Sequence, residues 1–137
     1  MKRISFYHIA LMLLIGSFAT SYQEASAQKR QKGIIYETVE QMPSFPGGEA
    51  SLQAYLSNNI EYPDIALKNN VQGRVEVLFV VEKNGSVRDV HVDRPVDPLL
   101  EEEAIRVVKS MRKWIPGRLN GEPVRVRYML PITFKLQ

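Results

Sequence analysis

Near the C-terminus, apolar residues recur at every second position: Val124, Val126, Tyr128, Leu130, Ile132, Phe134 and Leu136. Arg125, Arg127, Met129, Thr133 and Lys135 fill the gaps, and this period of two predicts a half-buried β-strand over residues 122–136. Pro131 lies inside it. A proline brings no N–H to a sheet ladder and is confined to edge strands, strand ends and bulges. The pattern therefore predicts a long closing strand with one open side, a template on which another chain can add a strand. Because Pro131 removes a donor, the expected docking stretch is Val124, Arg125, Val126, Arg127, Tyr128, Met129 and Leu130.

Upstream, Val75, Val77, Phe79 and Val81 alternate in the same way over residues 73–82, while Leu78 and Val80 interrupt the polar face. That combination predicts a central strand covered in part on both faces. Asn84-Gly85 predicts a type I′ hairpin turn, since both residues tolerate positive φ, and residues 86–93 form the return strand. Asp97-Pro98 supplies an N-cap oxygen and a proline for the first helical position. Leu100, Ala104, Val107, Val108 and Met111 then mark one buried helical stripe. Glu101, Glu102 and Glu103 sit near the positive end of that helix dipole, and Lys109, Arg112 and Lys113 near the negative end. Asn120-Gly121 turns the chain into the last strand.

Before the central strand, Leu52, Tyr55, Leu56 and Ile60 predict a helix over residues 51–60, and Pro63 suits the start of a second over residues 64–69. The segment Met42-Pro43-Ser44-Phe45-Pro46-Gly47-Gly48 suits neither helix nor strand. Residues 34–39 are compatible with a short strand. The order is (β)-α-α-β-β-α-β, which predicts an α+β fold: a small antiparallel three-stranded sheet with helices on one face. The core should include Val75, Val77, Phe79, Val108, Met111, Trp114, Ile132 and Phe134.

The N-terminus changes this picture. Lys2 and Arg3 form a basic start, an apolar run follows, and Ala25-Ser26-Ala27 reads as an A-x-A cleavage site ahead of Gln28. The run falls short of the ~20 apolar residues of a spanning helix. The expected organisation is a signal peptide over residues 1–27, a short leader over 28–41 and a domain over 42–137, with a periplasmic product. The alternative is an uncleaved N-terminus anchored in the inner membrane.

Composition mostly excludes. The chain of 137 residues has no cysteine, so disulfides, thiolate metal sites and thiol nucleophiles are absent. The net charge of +3 is interspersed and gives no support to nucleic-acid binding. Beyond His8 in the expected signal peptide there is only His91, which faces away from Val90 and Val92 in its strand. Consecutive Glu101, Glu102 and Glu103 fan around a helix and cannot converge on a metal. Gly47-Gly48 lacks the flanking residues of a phosphate cradle, and no Ser-His-Asp set can be assembled. No catalytic, cofactor or metal site is expected. For Arg125 and Arg127 two readings stand side by side: charges that protect an edge strand from aggregation, or groups that flank a docked peptide.

The series Tyr62-Pro63, Ala66, Gly73-Arg74-Val75, Phe79-Val80-Val81, Asn84-Gly85, Trp114-Ile115-Pro116-Gly117, Asn120-Gly121 and Pro131-Ile132-Thr133-Phe134 closely resembles the C-terminal domain of TonB energy transducers. Residues 42–48 look like the extension ahead of this domain in TonB-like proteins of Bacteroidetes-type bacteria. The resemblance implies a β-β-α-β core, preceded by short helices, whose last strand pairs with the TonB box of an outer-membrane receptor. It also implies receptor contacts from the segment before Tyr62, here Asn58, Asn59, Ile60 and Glu61, with Asn59 where the best-known members carry glutamine. A homodimer is a further expected partner state. A full transducer has a transmembrane anchor and a long proline-rich arm, whereas residues 28–41 reach only about 50 Å when extended. A standalone structural or regulatory domain, self-associating or binding another envelope protein, is therefore the alternative function.

Overall fold

A computed structural model describes residues 33–137; the expected signal peptide and its Ala25, Ala27 and Gln28 junction lie outside them. Residues 35–137 form one compact unit. Its strands are β1 (Ile35–Tyr36), β2 (Gly73–Val81), β3 (Val87–Val92), β4 (Gly117–Leu119) and β5 (Glu122–Phe134), and its helices α1 (Glu49–Asn59), α2 (Asp64–Lys68) and α3 (Pro98–Lys109). The order across the sheet is β1-β5-β2-β3, with β4 paired to β5.

The α+β class is as the sequence predicts, but the sheet has five strands instead of three and is not wholly antiparallel, because β1 runs parallel to β5. β1 and β4 span only two and three residues, too few for an alternation to announce itself. The long β2/β5 ladder is antiparallel and unbroken from Gly73↔Phe134 to Val81↔Val126. It sets Val75 opposite Ile132 and Val77 opposite Leu130, so the apolar sides of both strands share one face.

Onto that face α1 brings Leu52 and Leu56, and α3 brings Leu100, Ala104, Val107 and Val108. The predicted core residues are buried, except that Met111 is only partly so, because α3 ends at Lys109. Val80 is also buried and Leu78 half-buried, as expected for a strand covered on both sides. Asp97 caps α3 through Oδ1, which accepts from the N–H groups of Leu99 (2.9 Å) and Leu100 (3.2 Å). Phe45, from the segment read only as a turn, is a core residue that packs edge-on against Trp114 and beside Tyr55. Its neighbours are held by backbone bonds, Ser44 to Ile115 and Gln41 to Arg118.

The turn at Asn84-Gly85 is not the expected type I′. Gly85 has positive φ but Asn84 does not. The Gly85 N–H donates to the Glu82 carbonyl and the Glu82 N–H to Ser86, which makes a three-residue turn with a glycine bulge in place of type I′. The type I′ turn lies at Asn120 (φ 52°) and Gly121 (φ 79°), between paired Leu119 and Glu122. A second bulge, at Asp89 (φ 54°), shifts the β2/β3 register between Leu78 and Val80.

Candidate functional site

β5 is flanked unevenly. On one side β2 accompanies it from Val126 to Phe134. On the other, β1 sets Ile35 opposite Arg125 and Tyr36 opposite Val126, while the short β4 sets Gly117 opposite Val124 at the start of the strand. The expected free edge is thus already paired at Arg125 and Val126. From Arg127 to Phe134 no strand among the described residues flanks the outer side of β5. Tyr128, Met129 and Leu130 fall in this stretch. The open run is displaced toward the C-terminus because the chain supplies its own partner strand, β1, near the start of β5.

Pro131 fixes which backbone groups face outward. Its pair with Glu76 sits inside the unbroken ladder, and residues of an antiparallel strand alternate in the direction of their N–H and C=O groups. A residue without an N–H fits where that group would point away from β2. By the same alternation Arg127 and Met129 direct their N–H groups outward, whereas Val126, Tyr128 and Leu130 direct theirs to β2. The side chains follow the pleat: Val126 and Leu130 are buried, Tyr128 is half-buried, and Arg127 and Met129 are exposed. Tyr128 packs against Phe79 and Trp114, and burial raises its phenol above the ordinary range.

Both arginines are engaged. Arg125 faces Glu82, the residue after β2, with Nε and Nη2 donating to its two carboxylate oxygens at 2.7 and 3.0 Å, and this bond raises the guanidinium pKa further. Arg127 meets Glu37, just past β1, at 2.6 Å in an exposed pair. The sequence places neither carboxylate: Glu82 ends the alternation of β2, and Glu37 lies in a segment with no pattern of its own.

The second expected contact segment closes α1. Asn58, Asn59 and Glu61 are exposed and Ile60 is half-buried. The Asn59 carbonyl accepts from Arg106 at 2.8 Å, and the Glu61 N–H donates to Glu103 at 2.9 Å. Glu103 is held below the usual carboxylate range, first by its hydrogen bond from Arg106. α3 therefore clamps this segment through a pair that no spacing rule would connect to it. A depression lined by Ser57, Ile60, Tyr62, Ile132, Thr133 and Phe134 joins the end of α1 to the end of β5. The end of α1 thus neighbours the end of β5, past the expected docking stretch of Val124 to Leu130, although the two are about seventy residues apart in the chain. His91 is exposed, with Nδ1 2.8 Å from the Asp89 carbonyl oxygen, and the described residues contain no cluster of three or more His, Cys, Asp or Glu placed to hold a metal.

Comparison with known proteins identifies a family. The family described as Gram-negative bacterial TonB protein C-terminal matches residues 58–136. The solution NMR structure of a Helicobacter pylori TonB-CTD, residues 179–285, is similar at 27% identity with a TM-score of 0.51, over 64% of this chain and 79% of that one. A second NMR structure of that domain, residues 194–285, is similar at 24% identity with a TM-score of 0.49, over 63% of this chain and 90% of that one. No curated protein sequence matches the chain.

Proposed function

The chain belongs to the TonB C-terminal domain family, and from that membership we propose that β5 takes up the TonB box of an outer-membrane receptor as an added strand. The family serves TonB-dependent transport in the envelope of Gram-negative bacteria, through interaction modules that bind receptors and do not catalyse reactions. The observation that carries the finer reading is the outer side of β5 from Arg127 onward, which no described strand flanks. Main-chain donors at Arg127 and Met129 supply the affinity, and the alternating side chains supply the selectivity. Asn58, Asn59, Ile60 and Glu61 border the same depression through Ile60 and are positioned to meet the receptor beside the box.

Proline substitution tests this reading. Arg127→Pro removes an outward donor and should abolish binding of receptor-box peptides while the fold survives. Val126→Pro removes a bond to β2 opposite Val81 and should unfold the sheet. Arg127→Ala should weaken binding by less than about 1 kcal/mol, since exposed ion pairs contribute no more than that. Isotope-labelled protein titrated with box peptides reports both fold and binding. Absence of chemical-shift changes along residues 127–134 at millimolar peptide would sink the reading and leave self-association, or another envelope partner, in its place.

The module works in the periplasm once residues 1–27 are removed. No described helix is long and apolar enough to cross a membrane. Ala27→Tyr should block processing, because the cleavage site requires a small residue there. Mass spectrometry of separated membrane and periplasmic fractions decides it; full-length wild-type protein in the inner membrane would overturn the cleavage and favour an anchored transducer.

A further inference from the structure

β1 occupies the same side of β5 that the proposed function assigns to a partner strand. It pairs with Arg125 and Val126 alone, and it is followed at once by the exposed Glu37–Arg127 ion pair at 2.6 Å. Past that pair the chain is held much more firmly. Val39 is buried, Gln41 exchanges two backbone hydrogen bonds with Arg118, Ser44 does the same with Ile115, and Phe45 is buried among aromatic rings. The strength of attachment therefore changes sharply at residues 37–39. A two-residue strand contributes few ladder bonds, and an exposed ion pair adds little, so β1 can leave β5 while the domain stays folded.

We propose that β1 is a cis-acting stop on the docking edge, which a docking strand must displace to gain its full length. This rests on the reading of β5 as the docking edge. With β1 in place, the outward run before Pro131 begins at Arg127; with β1 released, it begins at Arg125 and gains another outward donor. Glu37 also neutralises Arg127, the first charged side chain of the open run. The bound partner then sees an edge of two lengths, and whatever moves residues 33–37 sets which length is offered. Apparent affinity for the full-length edge rises in proportion to the fraction of molecules with β1 released.

The test uses the full chain with Ile35→Cys and Arg125→Cys. Residues paired across neighbouring strands lie within disulfide reach, and the protein has no other cysteine. A synthetic TonB-box peptide is titrated into the oxidised and the reduced forms of this one variant, so the loss of the Arg125–Glu82 pair cancels. The reduced form should bind about tenfold more tightly or better. Glu37→Lys in the otherwise native chain should tighten binding about threefold, by replacing attraction to Arg127 with repulsion. Equal affinity of the oxidised and reduced forms overturns the stop and leaves the docking edge standing. Failure of every form, wild type included, to respond along residues 127–134 overturns the docking edge and the stop with it. Hydrogen exchange gives a reading without peptide: the amides of residues 35–37 should exchange orders of magnitude faster than those of Val77 and Leu130, and equal rates would show that β1 does not detach.

Discussion

Phe79→Ala is expected to lower the unfolding free energy by about 3–5 kcal/mol. Phe79 is fully buried. It lies on β2 opposite Tyr128 of β5, and its ring packs against both Trp114 and Tyr128, with centroids 5.3 and 5.6 Å away. Trp114 in turn contacts Phe45. Truncation therefore opens a cavity where β2, β5, the residues after α3 and the segment before α1 meet. The two large rigid rings beside it cannot collapse into it, which places the cost toward the upper part of the range. Urea titration measures it, and a loss below about 1 kcal/mol would show that the aromatic cluster does not organise the core.

Gly85→Val is expected to destabilise the domain by about 3 kcal/mol or more, lowering its melting temperature on the order of 15 °C. Two causes add. The residue sits at φ +87°, where a β-branched side chain is strained, and a Cβ there would run into the Trp114 carbonyl oxygen. The Gly85 carbonyl also accepts the Trp114 N–H at 2.9 Å, so the clash pushes against a bond that holds the core tryptophan. Gly121 is the control. Its φ is +79°, yet a Cβ there meets nothing within 4 Å. Gly121→Ala should cost about 1 kcal/mol, and Gly85→Ala clearly more. Equal losses at the two sites would show that the Trp114 contact does not matter.

The longest elements were legible because their signals are local. The alternation of residues 122–136 and 73–82 predicted β5 and β2, and Asp97-Pro98 predicted the start of α3, each from residues within one element. Both hairpins were found, but the type I′ turn expected at Asn84-Gly85 lies at Asn120-Gly121 instead. Asn84-Gly85 and Asn120-Gly121 are the same dipeptide; the difference lies in what surrounds them, with Trp114 bonding to Gly85 and nothing crowding Gly121. Phe45 was hidden among prolines and glycines, because burial of an irregular segment depends on partners that no periodicity encodes.

The candidate site divides in the same way. Sequence alone determined that a strand runs from residue 122 to 134, that Pro131 brings no N–H to its ladder, and that Val126 and Leu130 share a face opposite to Arg127 and Met129. These follow from the pleat and from proline's missing N–H, which are properties of the chain itself. Tertiary structure decided which strands accompany it, that β1 and β4 close its first residues, that Arg125 and Arg127 meet Glu82 and Glu37, and that the end of α1 lies beside the end of β5. Each of those depends on which distant segments meet in space, and two or three residues of β1 or β4 carry too little pattern to foretell a partner.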